Sequence, residues 1–346
     1  MEKTLKKQEI MLLNTLLCII VVFIHCASHP VSSFVKPSTA YTLIFVPWRL
    51  AAFVVQGFIF LSGLKLFLKP IDSFNYKNFI IKRLKLIFLP YVAAVFIYYI
   101  YFISIGYFPF RIKDFVFYVL TGSLVSPFYF IVAIMQFYIL MPLWIKMTEK
   151  ITFPVAIIIS FIVMLIAKHY VPQILQNFPS IASYNDRVFT TYLIYWVFGC
   201  YAGKYYSQVR EKLGFLMPVF FLLFIFSASA DIYFSYGTFV YGIYHGFLEN
   251  LHMVYCIFAI LFLFSLFIKI GNVHIPFLKQ LDSISFNIYL FHCLVIFITN
   301  GLMARLGINS ITMQFLIRSF MAYFVTITMC LIYKKLKSLI LNKLHS

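Results

Sequence analysis

The sequence EIMLLNTLLCIIVVFIHCASHP, residues Glu9–Pro30, decides the fold of this chain. It is apolar over enough length to cross a bilayer, which takes about 20 helical residues. Two polar residues, Asn14 and His25, interrupt it eleven positions apart. Because an α-helix has about 3.6 residues per turn, both side chains lie on one helix face. Ionisable residues in membrane segments usually face the protein interior or a cavity. His25 is therefore the leading candidate for chemistry, and the alternative is a histidine wetted at a helix end.

Similar apolar runs follow along the whole chain. Of its 346 residues, 63% are hydrophobic and only 11% are charged, whereas soluble domains average about 25% charged residues. We predict an all-α, polytopic membrane protein: one domain of about ten transmembrane helices over residues 1–346, with a short basic cytoplasmic tail at 334–346. The predicted spans are 9–28, 42–67, 80–103, 115–145, 152–171, 188–206, 215–234, 248–270, 284–300 and 311–333. The fourth can also be read as a short piece, Asp114–Gly122, followed by a span that starts near Pro127.

The basic residues predict the orientation. With ten spans, twenty of the 28 Lys and Arg residues, including Lys3, Lys6, Lys7 and Lys69, fall on the side of the two termini, and six fall on the other side. The positive-inside rule makes the first side cytoplasmic. His25 then lies toward the outer leaflet and Asn14 toward the inner one. The net charge of +18 is dispersed in short clusters between apolar spans, which indicates contact with membrane lipids and no nucleic-acid partner.

Three charged residues near the predicted outer side could support His25. Arg49 lies in the second span, where an arginine needs an anionic partner, a carbonyl or water, unless it snorkels to the interface. Asp231 and Glu249 flank the short loop between spans seven and eight. A carboxylate beside a histidine could orient it or raise its basicity. From sequence alone, two solvated loop acids are the favoured interpretation.

Metal and cysteine patterns point to no further chemistry. His25 and His29 have the i, i+4 spacing of helical metal ligands, but Pro30 follows and no third ligand is near, so no metal site is predicted. His292, in the ninth span, is a second buried-histidine candidate. We expect the cysteines to be small buried hydrophobic residues that form neither a disulfide framework nor a zinc site; they are Cys18, Cys26, Cys200, Cys256, Cys293 and Cys330.

Two local patterns have both a structural and a functional interpretation. Lys82, Arg83 and Lys85 crowd the predicted cytoplasmic mouth of the third span, where topology alone explains them. They could also hold a phosphorylated donor that arrives from the cytoplasm. Small residues in spans two and six predict close helix packing: Ser62, Gly63, Gly199 and Gly203.

In their order and spacing, several of these segments resemble the membrane-bound acyltransferase 3 family. Its features include an outward histidine at the end of the first span, here His25, and Phe-x-x-x-Ser-Gly in the second. The resemblance covers nearly the whole chain, and within the family it points to the branch of the membrane protein of intercellular-adhesin synthesis. The other matching segments are Phe58–Gly63, Pro90-Tyr91, Phe128–Leu143, Phe198–Gly203 and Ser285–His292.

The resemblance implies an enzyme that transfers an acyl group, often acetyl, from cytoplasmic acyl-CoA to sugars of exported or surface polymers. It implies a multi-pass bacterial cell-membrane protein that uses acyl-CoA as co-substrate and no cofactor. His25 takes the position of the catalytic base, which either deprotonates a sugar hydroxyl for direct attack on the thioester or accepts the acyl group transiently; the sequence does not distinguish these. Two positions depart from the family pattern: Asn14 replaces an arginine eleven residues before the histidine, and Leu86 replaces the second arginine of Arg-x-x-Arg, whose first is Arg83.

Two other functions are compatible with the sequence. A polysaccharide or lipid-linked sugar transporter could use His25, Arg49 and His292 along a path, although no internal repeat of the kind common in transporters is visible. A catalytically inactive scaffold in a synthase complex would accommodate the change at Asn14. The small outer loops suggest that a partner synthase could supply acceptor specificity.

Overall fold

A computed structural model describes residues 8–68, 74–271 and 275–344, with side chains up to residue 340. Within these ranges the chain is helical and has no β-strand, which confirms the all-α prediction. The α-helices are α1 Gln8–Ser33, α2 Thr39–Ala51, α3 Val54–Phe67, α4 Tyr76–Arg83, α5 Leu89–Ser104, α6 Ile112–Thr121, α7 Tyr129–Ile139, α8 Met141–Lys150, α9 Phe153–Gln176, α10 Leu193–Lys204, α11 Tyr206–Phe215, α12 Met217–Tyr241, α13 Leu248–Ile270, α14 Pro276–Arg305 and α15 Ile311–Leu344.

The helices confirm a polytopic membrane protein. Eight helical segments of the described chain are long and apolar enough to cross a bilayer, and a ninth candidate is the bent pair Ile112–Thr121 and Ser126–Ile139, whose axes differ by 59°. The break agrees with the alternative interpretation of the fourth span, because Gly122 ends α6 in the left-handed conformation and Pro127 starts the next turn. The eight segments are Gln8–Ser33, Thr39–Phe67, Tyr76–Ser104, Phe153–Gln176, Met217–Tyr241, Leu248–Ile270, Pro276–Arg305 and Ile311–Ile340.

The predicted span 188–206 differs from the structure. Its regular part is α10, which has 12 residues and a length of about 18 Å at 1.5 Å per residue, against a hydrocarbon core of about 30 Å. Short 3₁₀ turns, the last of them Phe189–Tyr192, precede it. Hydropathy alone did not reveal that the first part of this segment leaves the α-helical conformation.

The described contacts group the chain into two compact units. One unit comprises the chain up to Gly57 and from Arg210 onward, and the other comprises Phe58–Val209. In the first unit, α1 packs against α2, α13, α14 and α15. The buried Glu9 of α1 binds Arg210, with 2.8 Å between Oε1 and Nε. His25 therefore belongs to a helix enclosed by its own unit.

The second unit confirms the close helix packing predicted from small residues. A Cβ atom at Gly199 or Gly203 of α10 would overlap the carbonyl oxygens of Phe60 and Leu64 of α3, respectively. A Cβ at Gly63 would lie 2.7 Å from the carbonyl oxygen of Trp196. The backbones of α3 and α10 thus meet through their glycines.

Some predictions fall outside the described residues or stay predictions. Lys3, Lys6, Lys7 and Lys69 lie outside them, as do the last two residues of the tail 334–346. The start of that tail continues α15 as helix. The single-domain assignment and the cytoplasmic placement of the termini stay predictions.

Candidate functional site

The helices α1 and α14 carry polar side chains at matching heights. Near the start of α1, Nδ2 of Asn14 donates to Oδ1 of Asp282 at 2.8 Å and to Oγ of Ser285 at 3.0 Å. Farther along, His25 meets His292. Since both residue numbers increase together, the two helices run in the same direction with their polar residues aligned.

The polar contacts between α1 and α14 form a row along the two helices, and the two histidines lie in its middle. The ring centroids of His25 and His292 lie 5.2 Å apart, with the rings tilted by 42°. His292 is fully buried, whereas His25 is partly buried. Nδ1 of His292 lies 2.9 Å from the carbonyl oxygen of Ile288. A carbonyl only accepts, so Nδ1 carries the proton and Nε2 is left as an acceptor. His292 therefore offers His25 a ring of fixed orientation and tautomer.

Cys293 completes a group of three potential donors. Its Sγ lies 3.4 Å from Nε2 of His292, and the ligand atoms of His25, His292 and Cys293 all lie within 4.8 Å of one another. These donor types suit zinc. The sequence did not indicate this grouping, because only His25 and His29 have helical ligand spacing; the expectation of no metal site stays a prediction.

The next polar group along the row is centred on Arg318 of α15. Nε of Arg318 donates to Oδ1 of Asn300 at 2.8 Å, and Nη1 lies 3.4 Å from the carbonyl oxygen of Cys26. Sγ of Cys26 lies 4.0 Å from the carbonyl oxygen of Arg318. The guanidinium thus joins the first part of α15 to α14 and to Cys26 of α1, the residue after His25.

Arg49 and Asp231 form a separate buried ion pair in the same unit. Nε and Nη2 of Arg49 each lie 2.8 Å from a carboxylate oxygen of Asp231, whose side chain is 1% exposed. Nδ1 of His252 lies 3.2 Å from Oδ2 of Asp231, and Nε2 of His252 lies 3.5 Å from Sγ of Cys256. The interpretation of Asp231 as a solvated loop acid is therefore wrong: the helix α12 continues to Tyr241 and keeps Asp231 in the interior.

The remaining predicted residues occupy other places. Glu249 is exposed in the first turn of α13, in agreement with a loop-side acid. In the second unit, Lys82 and Lys85 are exposed, whereas Arg83 lies over the rings of Phe79 and Tyr138 at 5.0 and 5.1 Å. A π-helical turn, Leu84–Phe88, follows, and such turns recur at functional sites.

Several of these residues are visible in the sequence without their partners. The spacing of Asn14 and His25 places both on one face of α1, but their contacts with Asp282 and His292 of α14 are tertiary. All six cysteines are buried, as predicted. His252 was missed, although its i, i+4 spacing to Cys256 on one helix was a visible signal. Arg318 lies within the last predicted span, 311–333, where a charged residue is itself a functional signal.

Comparison with known proteins agrees with this arrangement. The family model described as "Acyltransferase domain" (Acyl_transf_3) matches residues 8–335, which include both histidines, Arg49, Asp231 and the basic cluster. No curated protein and no solved structure matches the chain significantly. The match covers nearly the whole chain, from the start of α1 into the basic end of α15. This polytopic membrane protein therefore belongs to the acyltransferase 3 family.

Proposed function

We propose that this acyltransferase moves an acyl group, in the first instance acetyl, from cytoplasmic acyl-CoA to a sugar hydroxyl of an exported or cell-surface glycan. The family membership supports the transfer itself. The thioester donor and the glycan acceptor are the substrates that the sequence resemblance implies. The cell membrane of a bacterium is the corresponding location.

The contact between His25 and His292 is the observation that carries the proposal. A general base must have an accessible lone pair and a defined orientation. His25 is partly buried, and His292 beside it is fixed by the carbonyl oxygen of Ile288. In the proposed step, His25 takes the proton from the sugar hydroxyl while the oxygen attacks the thioester carbonyl, and the coenzyme A thiolate leaves.

The basic cluster of the second unit is proposed to hold the coenzyme A phosphates. Lys82 and Lys85 are exposed, so their ammonium groups are available to an anionic ligand. Arg83 is different, because its guanidinium lies between aromatic rings. We assign the phosphate contacts to the two lysines and a positioning role to Arg83.

The test is transfer of label from radiolabelled acetyl-CoA, added to the cytoplasmic face of inside-out vesicles, into cell-envelope carbohydrate. We expect His25→Ala to lower the rate at least about a hundredfold, since general-base catalysis contributes about 10²–10⁴. His169→Ala is the matched control, because His169 is an exposed histidine of the other unit. It should leave the rate unchanged.

The outcomes separate this function from the two alternatives. If His25→Ala transfers label at the normal rate, His25 is not the catalytic base, although the protein is still an acyltransferase. An absence of transfer by the wild-type protein from any acyl-CoA would favour the scaffold. Export of a glycan without acylation, lost in the His25 variant, would favour the transporter.

A further inference from the structure

Arg318 is a buried cation in the apolar part of a predicted membrane span. Its residue is 2% exposed and lies seven positions after the start of α15. A guanidinium has five N–H donors. In the described residues it makes two hydrogen bonds, to the Oδ1 atom of Asn300 and the carbonyl oxygen of Cys26. Both acceptors are neutral.

The other arginine within the spans of the same unit shows what a complete pairing looks like. Arg49 has both carboxylate oxygens of Asp231 at 2.8 Å. Arg318 has no such carboxylate among the described side chains. A charged group placed inside a membrane is costly unless it is paired. Arg318 is therefore held by two neutral oxygen acceptors, and the described side chains supply no anion to balance its positive charge.

The position of Arg318 relates this charge to the candidate base. Its acceptor Cys26 follows His25 directly in α1, and Asn300 lies eight residues, about 12 Å of helix rise, beyond His292 in α14. With the predicted orientation, both displacements lead toward the outer surface. An acceptor approaching His25 from outside would pass Arg318 first.

We infer that Arg318, positioned by Asn300, binds an anionic oxygen group, a carboxylate or a phosphate, on the outer side of His25. The planar N–H fork of arginine matches the two oxygens of such groups. An acidic substituent of the acceptor glycan and a phospholipid headgroup are the two sources of this chemistry. The binding of an anion is inferred from the surroundings of Arg318 alone, whereas the use of this binding to hold the acceptor rests on the proposed function.

The test measures thermal unfolding of the purified full-length protein in phosphatidylcholine nanodiscs with methyl β-glucuronide or the neutral methyl β-glucoside. A ligand that binds only the folded protein raises the midpoint, and the stabilisation grows as RT ln(1 + L/Kd), where L is the free ligand concentration. We expect the glucuronide alone to stabilise the wild-type protein. Arg318→Gln should bind it about tenfold to a hundredfold more weakly, as expected for a lost charged hydrogen bond.

Two further variants control for charge and for folding. Arg305→Gln removes an exposed arginine at the end of α14 and should bind the glucuronide normally. Arg318→Lys keeps the charge without the planar fork, so it should bind with intermediate affinity. If Arg318→Gln does not give a monodisperse folded protein, the comparison of wild type with Arg318→Lys decides.

Nanodiscs made with an anionic lipid identify the source of the anion that Arg318 binds. If a headgroup is the ligand, phosphatidylglycerol nanodiscs stabilise wild type and Arg305→Gln fully, Arg318→Lys less and Arg318→Gln not at all, and the glucuronide has no effect. Equal responses of wild type and the Arg318 variants to every probe, or no response of any, would overturn the inference. Binding of the glucuronide by a protein without transferase activity would support this site and contradict only the proposed function.

Discussion

At the scale of single residues, Asn14 marks where this chain departs from the pattern that the resemblance implies. The amide occupies the position of an arginine and donates to Oδ1 of Asp282 at 2.8 Å. Ser285 accepts a second bond from the same nitrogen. The carboxylate of Asp282 thus lies beside a small, neutral donor.

This geometry predicts the effect of restoring the arginine. Asn14→Arg places a guanidinium beside the carboxylate of Asp282, so we expect the variant to fold and to retain or gain transferase activity. Asn14→Leu keeps the number and branching of the side-chain heavy atoms but has no donor. It should lower the free energy of unfolding by about 1.5–3 kcal/mol, the usual contribution of a hydrogen bond to a charged group.

Thermal unfolding and label transfer by the two variants check this prediction. Asn14→Leu serves as the control for loss of the amide without gain of charge. A less stable protein with arginine than with leucine at position 14 would show that Asp282 does not accept a cation from this side. The expectation that Asn14→Arg folds and keeps or gains transferase activity would then be wrong.

The scale of helical elements is where sequence reasoning both succeeded and failed. Gly199 and Gly203 predicted close packing because a missing side chain is visible in any sequence. Arg49 needed an anionic partner, a carbonyl or water unless it snorkelled, and nothing in the sequence singled out Asp231 over Glu249. The choice depends on α12 extending past Asp231 to Tyr241 and on its packing against α2. Likewise, both histidines of the row were visible, while their contact needed the register between α1 and α14.

The crossing of α3 and α10 supports a quantitative prediction. Gly199→Ala adds a Cβ atom that would overlap the carbonyl oxygen of Phe60, and backbone atoms on both helices leave little room to adjust. We expect the free energy of unfolding to fall by about 1–3 kcal/mol, as for other overpacked sites. Thermal or denaturant unfolding in detergent measures it.

Gly301→Ala is the matched control for this prediction. Gly301 also lies in a helix, but its added Cβ atom would have no neighbour within 4 Å. Alanine there should be neutral or stabilising by about 0.5–1 kcal/mol, because glycine is a poor helix former. Equal destabilisation by both substitutions would contradict the close approach at Gly199.

At the scale of the whole molecule, the number of membrane crossings depends on α10. This helix is short, but its end lies beside the start of α9: the hydroxyl of Tyr201 donates to the carbonyl oxygens of Met147 and Ile151, and Nζ of Lys204 donates to that of Thr148. Because α9 begins at Phe153 and has 24 residues, a chain that crosses in α9 must cross back before Lys204. The 3₁₀ turns before α10 therefore belong to the return path.

This round trip predicts ten crossings and the same side for both termini, although eight or nine regular helices satisfy the length and hydropathy criteria. Lys146, Lys150 and Lys204 then face the cytoplasm, in accord with the positive-inside rule. Reporter fusions at residue 1, residue 205 and residue 346 should all give cytoplasmic signals, and a fusion at residue 178 should give an external one. Equal signals at residues 178, 205 and 346 would show that α10 does not complete a crossing, because four crossings follow residue 205 and the two termini would then lie on opposite sides. The side of His25 would in that case be assigned from the fusion at residue 1.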